Sequence, residues 1–326
     1  MVWDATGQVN LWFQDVMGRS AWLIPITHAG DRIYMLLLIP VVWFLFNRRD
    51  GLFLLFATVS TFFVNSFLKL LFHQPRPFWV TQMNVYAYEG SFGFPSGHSQ
   101  NSVVIWGLLA IILVRHKILK PGIATLLSVV FVFLISISRI IYGAHFLQDI
   151  LFGWTVGLVL LVVILKLEKP VENFFNSLSG SAQFGLLIFL AVLMYGLAML
   201  ATPSQIPDLA KWNAQAQLSV ETTALDQVTF KPLSPTGMKS FLTIVGLLFG
   251  VAFSMILPSS DFSLSAASDR WLALIGCILW MSILFVGLRE VFTSDGHVGY
   301  TLHLIQYWLV SFFGSVMFQR LLLSRR

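Results

Sequence analysis

Apolar runs long enough to cross a bilayer recur along this chain, and that recurrence constrains its fold more than any other feature. Of its 326 residues, 57% are hydrophobic and only 11% are charged, a balance foreign to an ordinary soluble domain. Nine candidate spans run approximately over Ile33–Phe46, Leu52–Phe72, Ser99–Val114, Ile123–Ile141, Phe146–Leu165, Gly185–Leu200, Phe241–Ile256, Trp271–Leu288 and Leu302–Leu322. The first is short and must recruit its flanks. The expected fold is therefore all-α, a polytopic membrane helix bundle of about nine transmembrane helices. A large soluble core with long buried helices is the competing reading, and the number and length of the runs argue against it.

The few charges then set topology. Arg48 and Arg49, then Arg115, Lys117 and Lys120, then Lys166 and Lys169, then Arg270, and finally Arg320, Arg325 and Arg326 fall on one face of a nine-span plan. The positive-inside rule makes that face cytoplasmic, with the N-terminus outside and the C-terminus inside. The net charge of +5 is accounted for in this way, and no nucleic-acid partner is expected. Arg289 belongs to the opposite face. Residues 9–17 place Val9, Trp12, Phe13 and Val16 at helical spacing, as in a short interfacial amphipathic helix. The lone cysteine, Cys277, sits in an apolar run and reads as a small buried residue. No basic flank precedes an apolar stretch at the start, so no cleavable leader is expected. The absence of Asn-x-Ser/Thr sites fits a bacterial inner membrane. The stretch from Thr202 to Ser240, with four prolines, is the longest hydrophilic segment. It reads equally as an extracytoplasmic loop or small cap, or as a connector.

Three polar clusters stand at the outer ends of spans two to five, where polar groups near membrane depth point to function. Lys69 is followed after six residues by Arg76-Pro77; Pro95-Ser96-Gly97-His98 precedes the third span; Ser138-Arg139 is followed by His145 and Asp149. Lys69, Arg76 and Arg139 suit a polyanion, since arginine grips phosphate oxygens as a fork and lysine adds a point charge. Ser96 and Gly97 open a helix whose free N–H groups and dipole favour an anion. A neutral imidazole can attack phosphorus, and an imidazolium can protonate a leaving oxygen. His145 and Asp149 are four apart and share a helix face, so the carboxylate can fix the imidazole tautomer. His98 has no partner at such spacing and is the better candidate for the acid. Taken singly, each feature has a plain alternative: a snorkelling lysine, an interfacial arginine, a turn, a helix-start hydrogen bond.

Together the clusters resemble the signature of the type 2 phosphatidic acid phosphatase superfamily, Lys-x(6)-Arg-Pro, Pro-Ser-Gly-His and Ser-Arg-x(5)-His-x(3)-Asp, and every fixed position matches. The resemblance covers roughly residues 30–165. It implies that Lys69, Arg76 and Arg139 bind phosphate, with Ser96 and Gly97 adding hydrogen bonds. It makes His145 the nucleophile that forms a phosphohistidine, Asp149 its orienting partner, and His98 the acid for the leaving group. It implies no metal and no cofactor. The chain then divides into an N-terminal interfacial segment (1–29), a phosphatase core (30–170) and a C-terminal transmembrane extension (171–326) with an extracytoplasmic loop near 202–240.

The expected activity is hydrolysis of a phosphate monoester or diphosphate of a lipid at the periplasmic or outer face. Undecaprenyl diphosphate, phosphatidate, phosphatidylglycerol phosphate and a sphingoid phosphate are the candidate substrates. The alternatives are a sugar phosphate, as in glucose-6-phosphatase, transfer to an alcohol acceptor, and a lipid transporter with a phosphatase-like core. Partners are the phosphorylated substrate and membrane lipids. His73 fits no fixed motif position and reads as a loop residue near the entrance; His116 falls on the cytoplasmic side. His28, Asp31 and Arg32 could line the rim of the pocket, and Asp295 and His297 could reach substrate from the last outer loop.

Overall fold

The computed structural model describes residues 2–18, 20, 22–223, 228–256, 267–287 and 296–313. Among them every regular element is a helix: α1 (Val2–Met17), α2 (Leu23–His28), α3 (Arg32–Leu45), α4 (Arg48–Phe72), α5 (Pro77–Val80), α6 (Gly97–Arg115), α7 (Pro121–Ile141), α8 (Leu147–Ser177), α9 (Gly180–Ala201), α10 (Leu209–Glu221), α11 (Lys239–Ile256), α12 (Ala267–Ser282) continuing as a π turn over Ile283–Gly287, and α13 (Gly296–Phe312). Six stretches are long and apolar enough to span a bilayer: Arg48–Val80, Gly97–Arg115, Pro121–Ile141, Leu147–Ser177, Gly180–Ala201 and Ser268–Val286. Arg32–Leu45 and Lys239–Ser254 are apolar but shorter. The chain is thus an all-α polytopic membrane protein. The ninth expected span is described only to residue 313, and Arg289, Arg320, Arg325 and Arg326 lie outside the described residues.

The helices are apolar on the outside, the reverse of a soluble protein. On α7, Leu126, Val129 and Phe133 are exposed while Ser136, Ser138 and Arg139 are buried. On α8, Leu151, Leu158 and Val162 are exposed while Asp149 is buried. Lipid tails satisfy the outer surface, and the polar groups pair with one another inside.

The chain forms two compact units. The first joins residues 1–35, 64–163 and 201–237, and contains all three motifs. Here α6 meets α8 closely. A Cβ on Gly153 would lie 2.9 Å from Ser96 O, and one on Gly157 would lie 2.7 Å from Gln100 O, both rigid backbone atoms. Ser96 N donates to Asp149 O at 3.0 Å, tying the start of α6 to the start of α8. Residues 201–237 also belong to this unit. Trp212 of α10 packs on Trp79 of α5 and on Phe92, and Ser219 Oγ donates to Phe78 O at 3.2 Å.

The N-terminal helix packs on this unit through its polar face and through Phe13 and Met17, which lie against Leu23, Ile141 and Tyr142. Its apolar residues Trp12 and Val16 are exposed, whereas Asn10 and Gln14 are buried. Asn10 Nδ2 donates to Ile140 O and His145 O, and Gln14 Nε2 to Asn84 O and Ile141 O. The end of α7 leaves carbonyls without helical partners, so the polar face of α1 turns inward to satisfy them.

The second unit joins residues 36–63, 164–200 and 238–326. Gly246 and Gly250 of α11 let the backbone of α13 approach; added Cβ atoms would fall 2.7 Å from Leu304 O and 2.6 Å from Trp308 O. In this unit α8 continues to Ser177, beyond the expected end at Leu165. Arg49 holds the extension, with Nε and Nη2 each 2.6 Å from the Glu172 carboxylate and Nη2 3.0 Å from Glu168 Oε1.

The glycine contacts predict an asymmetry. Gly157→Val should lower the thermal unfolding temperature in detergent, at a cost of about 1–3 kcal/mol for overpacking. Gly185→Ala, where nothing lies within 4 Å, should leave it unchanged or raise it, by up to about 1 kcal/mol. Equal effects would contradict the close α6–α8 contact.

Candidate active site

Four helix ends build the site: the C-terminal ends of α4 and α7 and the N-terminal starts of α6 and α8. Each contributes a motif residue because polar groups are tolerated in this fold only where they can converge. His145 lies in the turn before α8 and is buried with Asp149. Its Nδ1 is 3.2 Å from Asp149 Oδ2, which also accepts from Phe146 N at 3.0 Å. With Nδ1–H donating to Asp149 Oδ2, the lone pair of Nε2 faces into the site. Arg76 Nη1 lies 3.2 Å from that Nε2. Burial, joined by the Arg76 guanidinium, holds the His145 imidazole well below the usual histidine range, so it is neutral at physiological pH.

Arg76 is fully buried and held on every side. Nε donates to Ser91 O at 2.6 Å, Nη1 to Ala144 O at 2.9 Å, and Nη2 to Glu89 Oε2 at 2.6 Å and Ser91 Oγ at 3.0 Å. Arg139 donates through Nη1 to Thr27 Oγ1 at 3.0 Å and through Nη2 to Glu89 Oε1. Its Nε is buried with no hydrogen-bond partner among the described residues. Lys69 Nζ donates to Phe92 O at 2.7 Å. Thus Lys69, Arg76, Arg139, His145 and Asp149 come together as the spacing implied.

Ser96 and Gly97 take structural positions. Ser96 caps α6, its Oγ accepting from Ser99 N and Ser99 Oγ. A Cβ on Gly97 would stand 2.8 Å from Asn65 Oδ1, so contact with α4 already demands glycine there. Ser138 Oγ turns back to Ile135 O at 2.6 Å. His73 stacks against Phe92 with a positive φ of 52°, and His116 caps the far end of α6. Asp295 and the side chain of His297 lie outside the described residues.

Three functional contacts escaped the motif reading. Glu89 bridges the two arginines. Burial alone would push its carboxyl up, but Arg76 and Arg139 more than offset this and hold it well below the usual carboxylate range. A signal for it exists, since Glu89 is the only acidic residue between Asp50 and Asp149. Asp31, expected only at the rim, lies 2.9 Å from His98 Nε2 through Oδ1; His98 therefore has a carboxylate partner, brought by the fold from 67 residues away. Asn10, which fastens the carbonyl of His145, carries no sequence signal at all.

A buried imidazole backed by a carboxylate, beside a pair of guanidiniums already gripping an oxyanion, defines the chemistry of phosphate esters. Comparison with known proteins agrees. Residues 50–171, the region that holds all three motifs, match the PAP2 superfamily model. It is 29% identical over 170 residues to Phosphatidylglycerophosphatase B of Bacillus subtilis (strain 168), covering 49% of this chain and 82% of the relative. It is 24% identical over 290 residues to Glucose-6-phosphatase catalytic subunit 1 of Haplochromis nubilus, covering 79% of this chain and 77% of the relative. Among solved structures, the transmembrane PAP2-type phosphatidylglycerolphosphate phosphatase from Bacillus subtilis superposes with a TM-score of 0.47 at 29% identity, over 52% of this chain and 87% of that one. The family match and the sequence relatives support a phosphoester hydrolase.

The position of Glu89 predicts competition between its carboxylate and phosphate for the two arginines. Glu89→Gln should bind inorganic phosphate about tenfold more tightly, a gain of about 1.4 kcal/mol, measured by calorimetry on the purified chain in detergent. Unchanged or weaker binding would show that Glu89 does not occupy the phosphate position.

Proposed function

We propose that the chain hydrolyses the phosphate monoester or diphosphate of a lipid through a phosphohistidine at His145. The observation that carries this is the convergence of Arg76 and Arg139 on one carboxylate while Arg76 also touches the neutral Nε2 of His145. A phosphoryl group taking the place of the Glu89 carboxylate would meet both guanidiniums, the unpartnered Nε of Arg139 and, nearby, Lys69. Its phosphorus would then stand next to the nucleophilic nitrogen.

The steps follow from these positions. His145 Nε2 attacks phosphorus; the bond to the leaving oxygen breaks, and that oxygen takes its electron pair and a proton from His98. Asp149 stabilises the positive charge that develops on His145. Water then attacks the phosphohistidine, His98 accepts its proton, and the N–P electron pair returns to His145. The arginines and Lys69 hold the equatorial charge throughout, the electrostatic stabilisation that dominates phosphoryl transfer.

Two features favour a lipid. An apolar groove of about 600 Å³ runs between α6, α7 and α8, lined by Val103, Gly107, Val132 and Trp154, on the helices whose ends carry the site. The 29% identical relative is named for a lipid phosphatase. A sugar phosphate is the second reading, favoured by the likeness to a glucose-6-phosphatase over 79% of the chain. The site is assigned to the outer face, with the N-terminus out and the C-terminus in. Arg115, Lys117 and Lys120 join α6 to α7 at the ends remote from His98 and Arg139, which supports that orientation by the positive-inside rule.

Phosphate release by the purified chain decides among substrates: polyprenyl diphosphate, phosphatidate, phosphatidylglycerol phosphate, sphingosine phosphate and glucose 6-phosphate. A lipid is expected to have the highest kcat/KM, and His145→Ala should lower it by more than about 10⁴-fold with the fold retained. No turnover of any of the five would overturn the hydrolase reading.

The depressed pKa of His145 sets a pH dependence. The nucleophile must be neutral, and burial keeps it so as pH falls through the ordinary value of about 6.5. After correction for substrate ionisation, the acid limb of kcat/KM should therefore lie below pH 6.5. Folding stability from this group is full above that value and declines as pH drops toward the folded-state pKa, because the unfolded chain binds the proton first.

A further inference from the structure

A short strap before α3 reaches the site from outside all three motifs and outside the matched family region. Residues 27–31 close a turn in which Gly30 N donates to Thr27 O and Asp31 N to His28 O, both at 2.9 Å. Each of its inward positions meets a site residue. Thr27 Oγ1 accepts from Arg139 Nη1. Gly30 lies so close to His98 that a Cβ there would stand 2.5 Å from His98 Cδ2 and 2.7 Å from Ile135 Cγ2. Asp31 presents one oxygen to each of two imidazoles: Oδ1 lies 2.9 Å from His98 Nε2, and Oδ2 lies 2.7 Å from His28 Nδ1. The His28 side chain is 49% exposed and that of His98 13%.

We propose that Asp31 is the positioning residue of His98, so that the site contains two histidine–aspartate dyads, one for the nucleophile and one for the acid. This rests on the hydrolase reading above. In the nucleophile dyad Asp149 holds Nδ1 and frees Nε2; in the acid dyad Asp31 holds Nε2, and Nδ1 is the nitrogen left for the leaving oxygen. The chemistry requires such a partner. His98 must carry a proton when substrate arrives, and an imidazolium there needs a facing carboxylate. Asp31 supplies the opposing negative charge, together with Glu89. His28 fixes the second oxygen of Asp31 and so the plane of the carboxylate. Burial pushes the Asp31 carboxyl up, but the His98 bond and charge, the His28 bond and Arg139 more than offset it, so Asp31 is the anion this role needs. The charged and titratable groups facing the dyad are therefore His28, Glu89 and Arg139.

The sign of the effect is fixed by when the proton moves. Protonation of the leaving oxygen matters most for a basic leaving group and little for a stabilised one. Asp31→Asn in the full chain, assayed in detergent, should lower kcat/KM for phenyl phosphate by roughly 10–100-fold, but for 4-nitrophenyl phosphate by less than about 3-fold. The alkaline limb of the phenyl phosphate profile should move to lower pH by about one unit, because the imidazolium loses its counter-charge. Asp31→Glu should restore part of both. His28→Asn should act in the same direction with a smaller effect, and it stands as the second variant if Asp31→Asn does not fold. Equal losses on the two esters with an unmoved alkaline limb, in whichever of these variants folds, would overturn the assignment and leave the hydrolase reading intact. Wild-type protein that releases phosphate from neither ester nor from any of the five substrates above would overturn the hydrolase reading itself.

Discussion

The bridge from Glu89 to Arg76 and Arg139 is the interaction on which the site depends. Two guanidiniums are buried side by side, with Lys69 close by. Unpaired, such charges would cost several kcal/mol each in a low-dielectric interior. The loop between α5 and α6 answers that cost. It places one carboxylate between the arginines and adds the carbonyls of Ser91 and Phe92, which accept from Arg76 and Lys69. Helix α10 and the residues just after it in turn fix the loop, through Trp212 against Trp79 and Phe92 and through Thr223 Oγ1, which accepts from Val85 N. A pair of buried guanidiniums is stable here because a protein carboxylate lies between them.

The same logic explains why so much of the polar sequence is structural. Asn10 and Gln14 close the carbonyls at the end of α7, which positions the turn carrying His145. Asn65 links Pro95 O and Gln100 Oε1, fixing the start of α6 on which His98 rides. Gly153 and Gly157 let α6 and α8 approach to backbone contact, and Gly97 leaves room for the Asn65 side chain of α4. Catalytic groups held by packed helices and by bonds to their own neighbours need little reorganisation when substrate binds.

The motif residues were legible because their spacing is local. His145 and Asp149 share one helix face by periodicity alone, and the structure confirms a 3.2 Å contact between them. Ser96 and Gly97 were legible as a helix start, and the structure adds that Ser96 Oγ accepts from Ser99 N and that Gly97 lies against Asn65. Asp31 was read only as a rim residue and Glu89 not at all, for a shared reason. Each joins its partner across a gap in sequence that no periodicity spans, and each is a single acidic residue in an irregular segment. The contacts of Asn10 and Gln14 were hidden for a related cause: periodicity reveals that a helix has two faces, but not which carbonyls its polar face will meet.

By itself the sequence determined that the chain is a membrane-embedded helical bundle, since apolar runs of that length leave the backbone no other way to satisfy its hydrogen bonds in lipid. It also determined which cations and histidines gather, since the motifs sit at span ends that must share one face. Only the tertiary structure decided how their charges are balanced. Electrostatic pairing depends on distances between segments, and the separations from Asp31 to His98 and from Glu89 to Arg139 are set by helix packing and loop path. His98 and His145 thus look different in sequence, the first without a partner and the second with one, and alike in three dimensions, each an imidazole beside an aspartate.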